Sequence, residues 1–191
     1  TFYQATLSTI LTFILGIPSA VLFSRFNFRG KSILRALTAV PFMLPTVVVA
    51  AAFNSLIGSR GLFSFLFPLS SNFTTSPTFY FLLILTAHVF YNTTIIIRIV
   101  GNTLSRLDPK LEQSARVLGA DSFQAWRRII LPLLRPSLLA AALLVFMFDF
   151  TSFGVILLLG GSNFSTLEVE IYIRALKLPN LNLAALLSVI Q

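Results

Sequence analysis

Side chains able to carry out chemistry are few in this sequence, and they lie far apart along it. The 191 residues include one histidine, no cysteine and six carboxylates. A hydrolase would need a nucleophile beside a base, or a cluster of metal ligands, and the spacing offers neither. A glycine-rich loop with a lysine, which would cradle a nucleotide phosphate, is also missing. We therefore expect no catalytic residue, no cofactor and no metal site, and we expect His88 to be a hydrogen-bonded packing residue.

The composition predicts that the elements holding these residues lie in a membrane, with lipid around them. Hydrophobic residues make up 56% of the chain and charged residues only 10%, whereas soluble domains carry about 25% charged residues. A helix of roughly 20 residues crosses the hydrocarbon core of a bilayer. Four apolar stretches reach that length, at residues 3–23, 36–57, 79–99 and 137–158. A fifth begins near Leu183, so we predict an all-α polytopic bundle of about five spans, the last one truncated.

The positive charges predict the orientation of this bundle. The formal net charge is +8, but the cations are not interleaved with aromatic side chains on one face, so we expect no nucleic-acid partner. Eleven of the 14 Lys and Arg residues lie in or beside two alternate connections: Arg25, Arg29, Lys31, Arg35, Arg98, Arg106, Lys110, Arg116, Arg127, Arg128 and Arg135. Cytoplasmic connections are rich in Lys and Arg, which places residue 1 outside. We expect at least one earlier span and further chain after Gln191.

Two features inside the apolar stretches mark candidates for a translocation path. Pro41 and Pro45 break the helical ladder of the second stretch, and transporters often place substrate sites at broken helices, although proline kinks also serve packing. Asp149 lies inside the fourth stretch, where a carboxylate costs at least about 2.5 kcal/mol. Either it faces the path with Phe150 and Phe153, where it would meet a cationic or ring-bearing solute, or neighbouring hydroxyls or the histidine satisfy it.

The connection 101–136 is predicted to be a cytoplasmic loop built from two short helices. Asp108 is a good N-cap for the first helix, and Gly119 is well placed to end it. Asp121 caps the second helix, which runs until Pro132 interrupts it just before the fourth span. Because capped helices form a defined surface and flexible linkers do not, this loop indicates a docking site for a partner.

The loop resembles that of the membrane permeases of binding-protein-dependent ABC importers. Their loop carries Glu-Ala-Ala, three residues, Gly, nine residues, Ile, one residue and Leu-Pro. The matching positions here are Gln113, Ser114, Ala115, Gly119, Ile129, Leu131 and Pro132. The sequence departs from the pattern at its start, where Gln113 stands for the expected Glu, with Glu112 beside it. That departure puts the role of the carboxylate in question.

The resemblance implies a type I importer permease of a prokaryotic plasma (inner) membrane, a single domain over residues 1–191. Residues 112–121, including Ala120 and Asp121, would form a coupling helix that docks on a cytoplasmic ATP-binding subunit, which hydrolyses ATP. A second permease half or subunit would complete the path. An external substrate-binding protein would deliver substrate to the outer loops 58–78 and 159–181.

The stretch 143–172 looks like part of the N-terminal half of fused permeases for thiamine and ferric iron, so either substrate is implied. An ion-coupled secondary transporter or channel is the alternative. Ion coupling predicts several charges inside the membrane, and only Asp149 qualifies. The loop motif therefore favours the permease.

Overall fold

The computed structural model describes residues 1–57, 61–62, 76–160, 164–178 and 180–191, and every regular element in those ranges is a helix. The helices are α1 (Phe2–Arg25), α2 (Lys31–Leu37), α3 (Val40–Met43), α4 (Thr46–Ile57), α5 (Pro77–Arg106), α6 (Pro109–Val117), α7 (Ser122–Phe150), α8 (Gly154–Leu159), α9 (Leu167–Tyr172) and α10 (Leu181–Ile190). The predicted all-α fold is confirmed. Most of the predicted outer loop 58–78 lies outside the described residues.

Three of these helices, α1, α5 and α7, are long and apolar enough to cross a membrane. The bent pair formed by 31–43 and 46–57 makes a fourth span if it is counted as one. α10, which falls where the fifth span was predicted, is a shorter apolar helix of 10 residues. Large apolar side chains such as Ile14, Leu139 and Met147 point outward, where lipid would surround them.

One hydrophobic core, called the inner core below, joins α1, α5 and α7 on the side of the basic connections. Its buried members are Ala20, Ile95, Ile96, Val100, Leu104, Ile130, Leu134, Ala141 and Val145. Small residues let the helices approach each other closely, as is typical of membrane bundles. A Cβ added at Gly16 would lie 2.7 Å from the Cβ of Ile96, so α1 and α5 are in direct contact there.

A second cluster, the outer core, joins the other end of α5 to α4, α8 and α9. Its buried members are Ala50, Leu83, Ile84, Ala87, Val155, Ile156, Leu159 and Val169. Along α5 the outer core occupies residues 83–87 and the inner core residues 95–104. The two cores are therefore stacked along one continuous helix, with the segment 88–94 between them.

The second and fourth predicted spans are both broken. The second is interrupted after α2 and again before α4, where Leu44 and Pro45 separate two segments bent by 106°. The interruption predicted at Pro45 is confirmed, whereas Pro41 lies at the start of α3, after the turn at 38–39. The fourth was predicted as one helix over 137–158, and that prediction is wrong: α7 ends at Phe150 and α8 begins at Gly154. The segment 151–153 forms the break.

The second loop helix was also predicted to end at Pro132, and this is wrong. The helix that begins at Ser122 runs without interruption to Phe150. A π-helical turn over Trp126–Ile130 lies just before the proline. Such a turn widens the helix, which accommodates a ring that would otherwise clash with the preceding turn. The second loop helix and the first part of the predicted fourth span are therefore one continuous helix.

Candidate functional site

A layer of buried polar side chains separates the two cores. His88 is at its centre: Nδ1 lies 2.7 Å from the amide nitrogen of Gln4, and Nε2 lies 2.7 Å from Oγ of Ser152. With the Gln4 amide as donor, Nδ1 accepts and Nε2 donates its proton to Ser152. The predicted packing histidine therefore bridges α1, α5 and the break after α7.

Asp149 belongs to the same layer. Its side chain is fully buried, with 0% of its surface exposed. Oδ1 accepts a hydrogen bond of 2.7 Å from the amide nitrogen of Asn92 and lies 3.6 Å from Nδ1 of His88. Oδ2 is buried with no hydrogen-bond partner among the described residues. The carboxyl thus lies behind Asn92 and His88, which separate it from the cavity described next.

A cavity of about 420 Å³ opens at the level of the two helix breaks. Its lining residues are Phe42, Leu44, Thr46, His88, Tyr91, Asn92, Phe148, Thr151, Ser152, Phe153, Gly154 and Val155. The side chains that face it include three phenyl rings, the phenol of Tyr91, the imidazole of His88, several hydroxyl groups and one amide, and among the described residues no Lys, Arg, Asp or Glu side chain lines it. Such a mixture suits a small solute that offers both an apolar face and hydrogen-bonding groups.

The two breaks meet at this cavity because α5 holds both of them. The hydroxyl of Tyr91 donates to the backbone oxygen of Leu44 at 3.1 Å, in the break of the second span. One turn away, His88 binds Ser152 in the break of the fourth span. A Cβ added at Gly154 would lie 3.3 Å from the Cβ of Thr46, so the starts of α8 and α4 are also in contact.

The predicted path residues have different positions relative to the cavity. Phe153 lines it. Asp149 lies behind the lining, and Phe150 stacks on Phe146 with ring centroids 5.7 Å apart. Pro41 is buried beside a different cavity of about 600 Å³, and Pro45 is exposed at the break itself. Their role in a path remains a prediction.

Sequence reasoning missed most members of the polar layer, although one signal was available. Gln4, Ser8 and Thr12 recur every four residues on α1 and continue into Gly16 and Ala20, and all five are buried. A stripe of polar and small residues at helical spacing is typical of a packed membrane interface. That stripe marks the face of α1 that meets α5.

The loop 101–136 has the predicted helix caps. Oδ1 of Asp108 accepts from the backbone nitrogen of Lys110 at 2.9 Å, and Oδ1 of Asp121 accepts from that of Gln124 at 2.7 Å. Gly119 has φ +89°, the left-handed conformation that favours glycine after a helix.

The turn at Gly119 is a Schellman motif. The backbone nitrogen of Ala120 donates to the oxygen of Ala115, and that of Gly119 donates to the oxygen of Arg116, both at 3.0 Å. The motif fixes the orientation of the last turn of α6, whose Val117 and neighbouring Leu118 are 87% and 88% exposed.

The remaining motif positions have different environments. Gln113 and Ser114 are exposed, whereas Ala115 is buried on the face of α6 that packs on the first turns of α7. Glu112 is half-buried, and its Oε2 lies 3.4 Å from Nη1 of Arg25 at the end of α1. The three positions that close the motif, Ile129, Leu131 and Pro132, lie in the π turn and the first turn after it.

The outer segment 159–181, described at 159–160, 164–178 and 180–181, is largely helical. The backbone nitrogen of Leu167 donates to Oγ1 of Thr1, which ties α9 to the start of α1. Partial burial raises the pKa of the Glu168 carboxyl, and a hydrogen bond from Gln191 opposes that shift. This segment packs onto the outer core through Val169.

A helical bundle with two broken spans around a cavity, and with a capped helical loop on its basic side, defines a membrane transport subunit. The chain belongs to the family of binding-protein-dependent transport system inner membrane components, whose model matches residues 8–190. It is therefore a multi-pass inner-membrane protein of the ABC importer permease family.

Curated relatives in this family carry different substrates in their names. The sulfate transport system permease protein CysT of Salmonella typhimurium is 30% identical over 162 residues, which cover 85% of this chain and 57% of CysT. The thiamine transport system permease protein ThiP of Haemophilus influenzae is 32% identical over 191 residues, which cover 100% of this chain and 36% of ThiP. The chain thus spans between about a third and three fifths of the length of these relatives. The likeness to thiamine permeases was predicted, and the likeness to sulfate permeases was not.

A solved structure supports the fold. The chain matches one in the crystal structure of a bacterial ABC transporter involved in the import of the acidic polysaccharide alginate with a TM-score of 0.77 at 18% identity. The match covers 99% of this chain and 71% of that chain. At this identity the likeness establishes the type I permease fold alone.

Proposed function

We propose that this chain forms one half of the translocation path of an ATP-driven importer and docks on a cytoplasmic ATP-binding subunit through the end of α6. The observation that carries this proposal is the pair Val117 and Leu118. Both side chains are almost fully exposed on the basic side of the bundle, the side that the excess of Lys and Arg assigns to the cytoplasm. Exposed apolar side chains on a rigid turn are typical of a docking surface.

The geometry of the loop supports a mechanical role. The Schellman turn at Gly119 holds the exposed pair in place, and Phe123, 72% exposed, extends the apolar surface past the turn. α7 then runs as one helix from Ser122 to the break at the cavity. At about 1.5 Å per residue it is a rod of roughly 40 Å that links the docking surface to the path.

The mechanism we propose is alternating access. Closure of the ATPase dimer on ATP displaces the segment 112–121, and α7 carries that displacement to the breaks, where the cavity opens outward to receive substrate. An external binding protein delivers the substrate to the outer loops, 58–78 and 159–181. A second permease half, on the same chain or another, encloses the other side of the path. No covalent chemistry takes place in this chain.

Thiamine is the first substrate we propose, and ferric iron is its alternative within the same proposal. The aromatic lining of the cavity favours a ring-bearing cation, since no Lys or Arg side chain of the described part of the chain lines it. Sulfate is the second candidate. The N-terminus of α4, at Thr46, borders the same cavity, and a helix N-terminus favours an anion.

The docking proposal is tested with Leu118→Asp in the full-length permease, reconstituted with its ATP-binding subunit and binding protein. We expect the charged side chain to lower copurification of the ATPase and ATP-dependent uptake by at least tenfold. Ser105→Asp, which adds the same charge at another exposed site on the cytoplasmic end of α5, is the control and should retain both. Equal ATPase binding by the two variants would overturn the proposal.

Uptake of labelled thiamine, ferric iron and sulfate by the wild-type proteoliposomes tests the substrate. Saturable ATP-dependent uptake of thiamine or ferric iron supports the first proposal, and uptake of sulfate supports the second. Uptake that requires an ion gradient and proceeds without ATP would instead support the ion-coupled carrier.

A further inference from the structure

The loop motif departs from the family pattern at Gln113, and the carboxylate beside that position, Glu112, has a partner in the bundle. Gln113 faces solvent, whereas Glu112, one position earlier, is half-buried against the bundle. Glu112 and Ala115 are three residues apart, so they share one face of α6. Ala115 is buried, so this is the packed face of α6, which lies against the first turns of α7 and, at Glu112, against the end of α1.

The partner of Glu112 is the last residue of α1. Nη1 of Arg25 lies 3.4 Å from Oε2 of Glu112, and each side chain is 26% exposed. Arg25 ends a helix whose inward face packs in the inner core through Ala20. The ion pair therefore joins the docking helix to a span that has no direct chain connection to the loop.

The other route from α6 to the membrane is covalent. α6 continues through the Gly119 turn into α7, so a displacement of α6 reaches α7 through the backbone. α1 and α7 both pack on α5 in the inner core. A link from α6 to α1 as well would displace α1 and α7 together, so that the inner core moves as one unit.

We propose that Arg25 and Glu112 are positioning residues that transmit the displacement of α6 to α1, an inference that rests on the docking function proposed above. Neither residue is among those that line the cavity. The pair holds α6 against the end of α1 when movement of the ATPase displaces Val117 and Leu118. Loss of the pair leaves the docking surface intact but lets α6 move without α1, so ATP is hydrolysed with less transport.

The test is a charge swap in the full-length permease, assembled with its ATP-binding subunit and binding protein in proteoliposomes. Arg25→Glu and Glu112→Arg each place two like charges together, and the double variant restores an opposite pair. A partly exposed ion pair shifts an equilibrium by up to about fivefold. We therefore expect each single variant to lower the substrate transported per ATP hydrolysed by about three- to fivefold. The double variant should return to within about twofold of the wild type.

Arg29→Glu is the matched control, because it changes the net charge equally on the same face of the membrane at an exposed position. It should leave the ratio of transport to ATP hydrolysis unchanged. Glu112→Gln removes the negative charge without placing two like charges together, so it replaces a charge-reversed variant that assembles poorly. It should lower the ratio of transport to ATP hydrolysis by about twofold. The inference would be overturned if the double variant transported no more substrate per ATP hydrolysed than either single variant. It would also be overturned if both single variants and Glu112→Gln had the same ratio as the wild type.

Copurification of the ATPase separates this inference from the docking proposal. If the wild type does not retain the ATPase, or if Leu118→Asp retains it fully, the docking proposal fails and the present inference fails with it. If docking holds while the charge variants behave as the wild type, only the role of Arg25 and Glu112 is rejected.

Discussion

His88 connects three parts of the bundle, since it lies on α5 and its two ring nitrogens contact Gln4 on α1 and Ser152 in the break after α7. Its character as a hydrogen-bonded packing residue could be predicted, because a single histidine without neighbouring ligands is a poor metal site. Its partners Gln4 and Ser152 could not be predicted, because they are 84 and 64 residues away from it in sequence. Pairing between spans depends on helix rotation, which hydropathy alone does not determine.

Asp149 allows a residue-scale prediction that separates packing from a path role. Asp149→Asn keeps an oxygen that can accept from Asn92, so we expect the melting temperature of the purified permease to stay within a few degrees. Asn92→Ala removes the donor and leaves a buried carboxyl unsatisfied, which should cost about 1–3 kcal/mol in stability. Thermal unfolding in detergent measures both changes.

Transport by the Asp149→Asn variant tests the hypothesis that Asp149 belongs to the translocation path. If Asp149 acts on the solute through the lining residues, Asp149→Asn should lower uptake by about tenfold although the protein remains folded. Uptake equal to the wild type would leave Asp149 with a packing role alone, and the path role would be abandoned.

At the scale of elements, the features that could be predicted are those set by local chemistry. Asp108, Gly119 and Asp121 mark their helix ends correctly, because caps depend on hydrogen bonds between residues only two to five positions apart. The continuous α7 was missed because Pro132 ends a regular helix but is accommodated after a π turn. The break at 151–153 was missed because it contains no proline, and Ser152 is held there by a contact with α5.

The crossing of α1 and α5 gives an element-scale prediction. Gly16 lies so close to Ile96 that any added side chain must displace one helix. We expect Gly16→Val to destabilise the permease by about 1–3 kcal/mol through overpacking, measured as a lower melting temperature in detergent. Ala140→Val, which adds a similar volume at an exposed position of α7, is the control and should melt like the wild type. Equal melting temperatures for the two variants would contradict the close approach.

In the described part of the chain, two hydrophobic cores are joined along α5, with the polar layer around His88, Asn92 and Asp149 between them. Composition and charge predict that such a chain lies in a membrane, and the loop motif predicts its class. Neither the composition nor the loop motif predicts two cores, because each is a property of single segments and does not say which segments pack together. The outer core unites α4 and α8, which belong to different spans. We infer that these two half-helices act as one body.

The absence of cysteine from the sequence makes this arrangement testable by disulfide formation. A Cβ at Gly154 would lie 3.3 Å from that of Thr46, just below the usual 3.5–4.5 Å range between bridged residues. We expect Thr46→Cys with Gly154→Cys to form an intramolecular disulfide on mild oxidation, seen as loss of both thiols to a maleimide reagent. Each single cysteine variant is the control and should remain reactive.

Because α4 and α8 share the outer core, we expect the oxidised double variant to transport at no less than about half the rate of its reduced form. A bridge within one moving body should not obstruct opening of the cavity, whereas a bridge between two bodies that separate would stop it. Uptake that is abolished by oxidation and restored by a reductant would therefore show that the two half-helices part during transport. In that case the cavity would open between α4 and α8, and the hydrogen bonds from Tyr91 and His88 would have to break in turn.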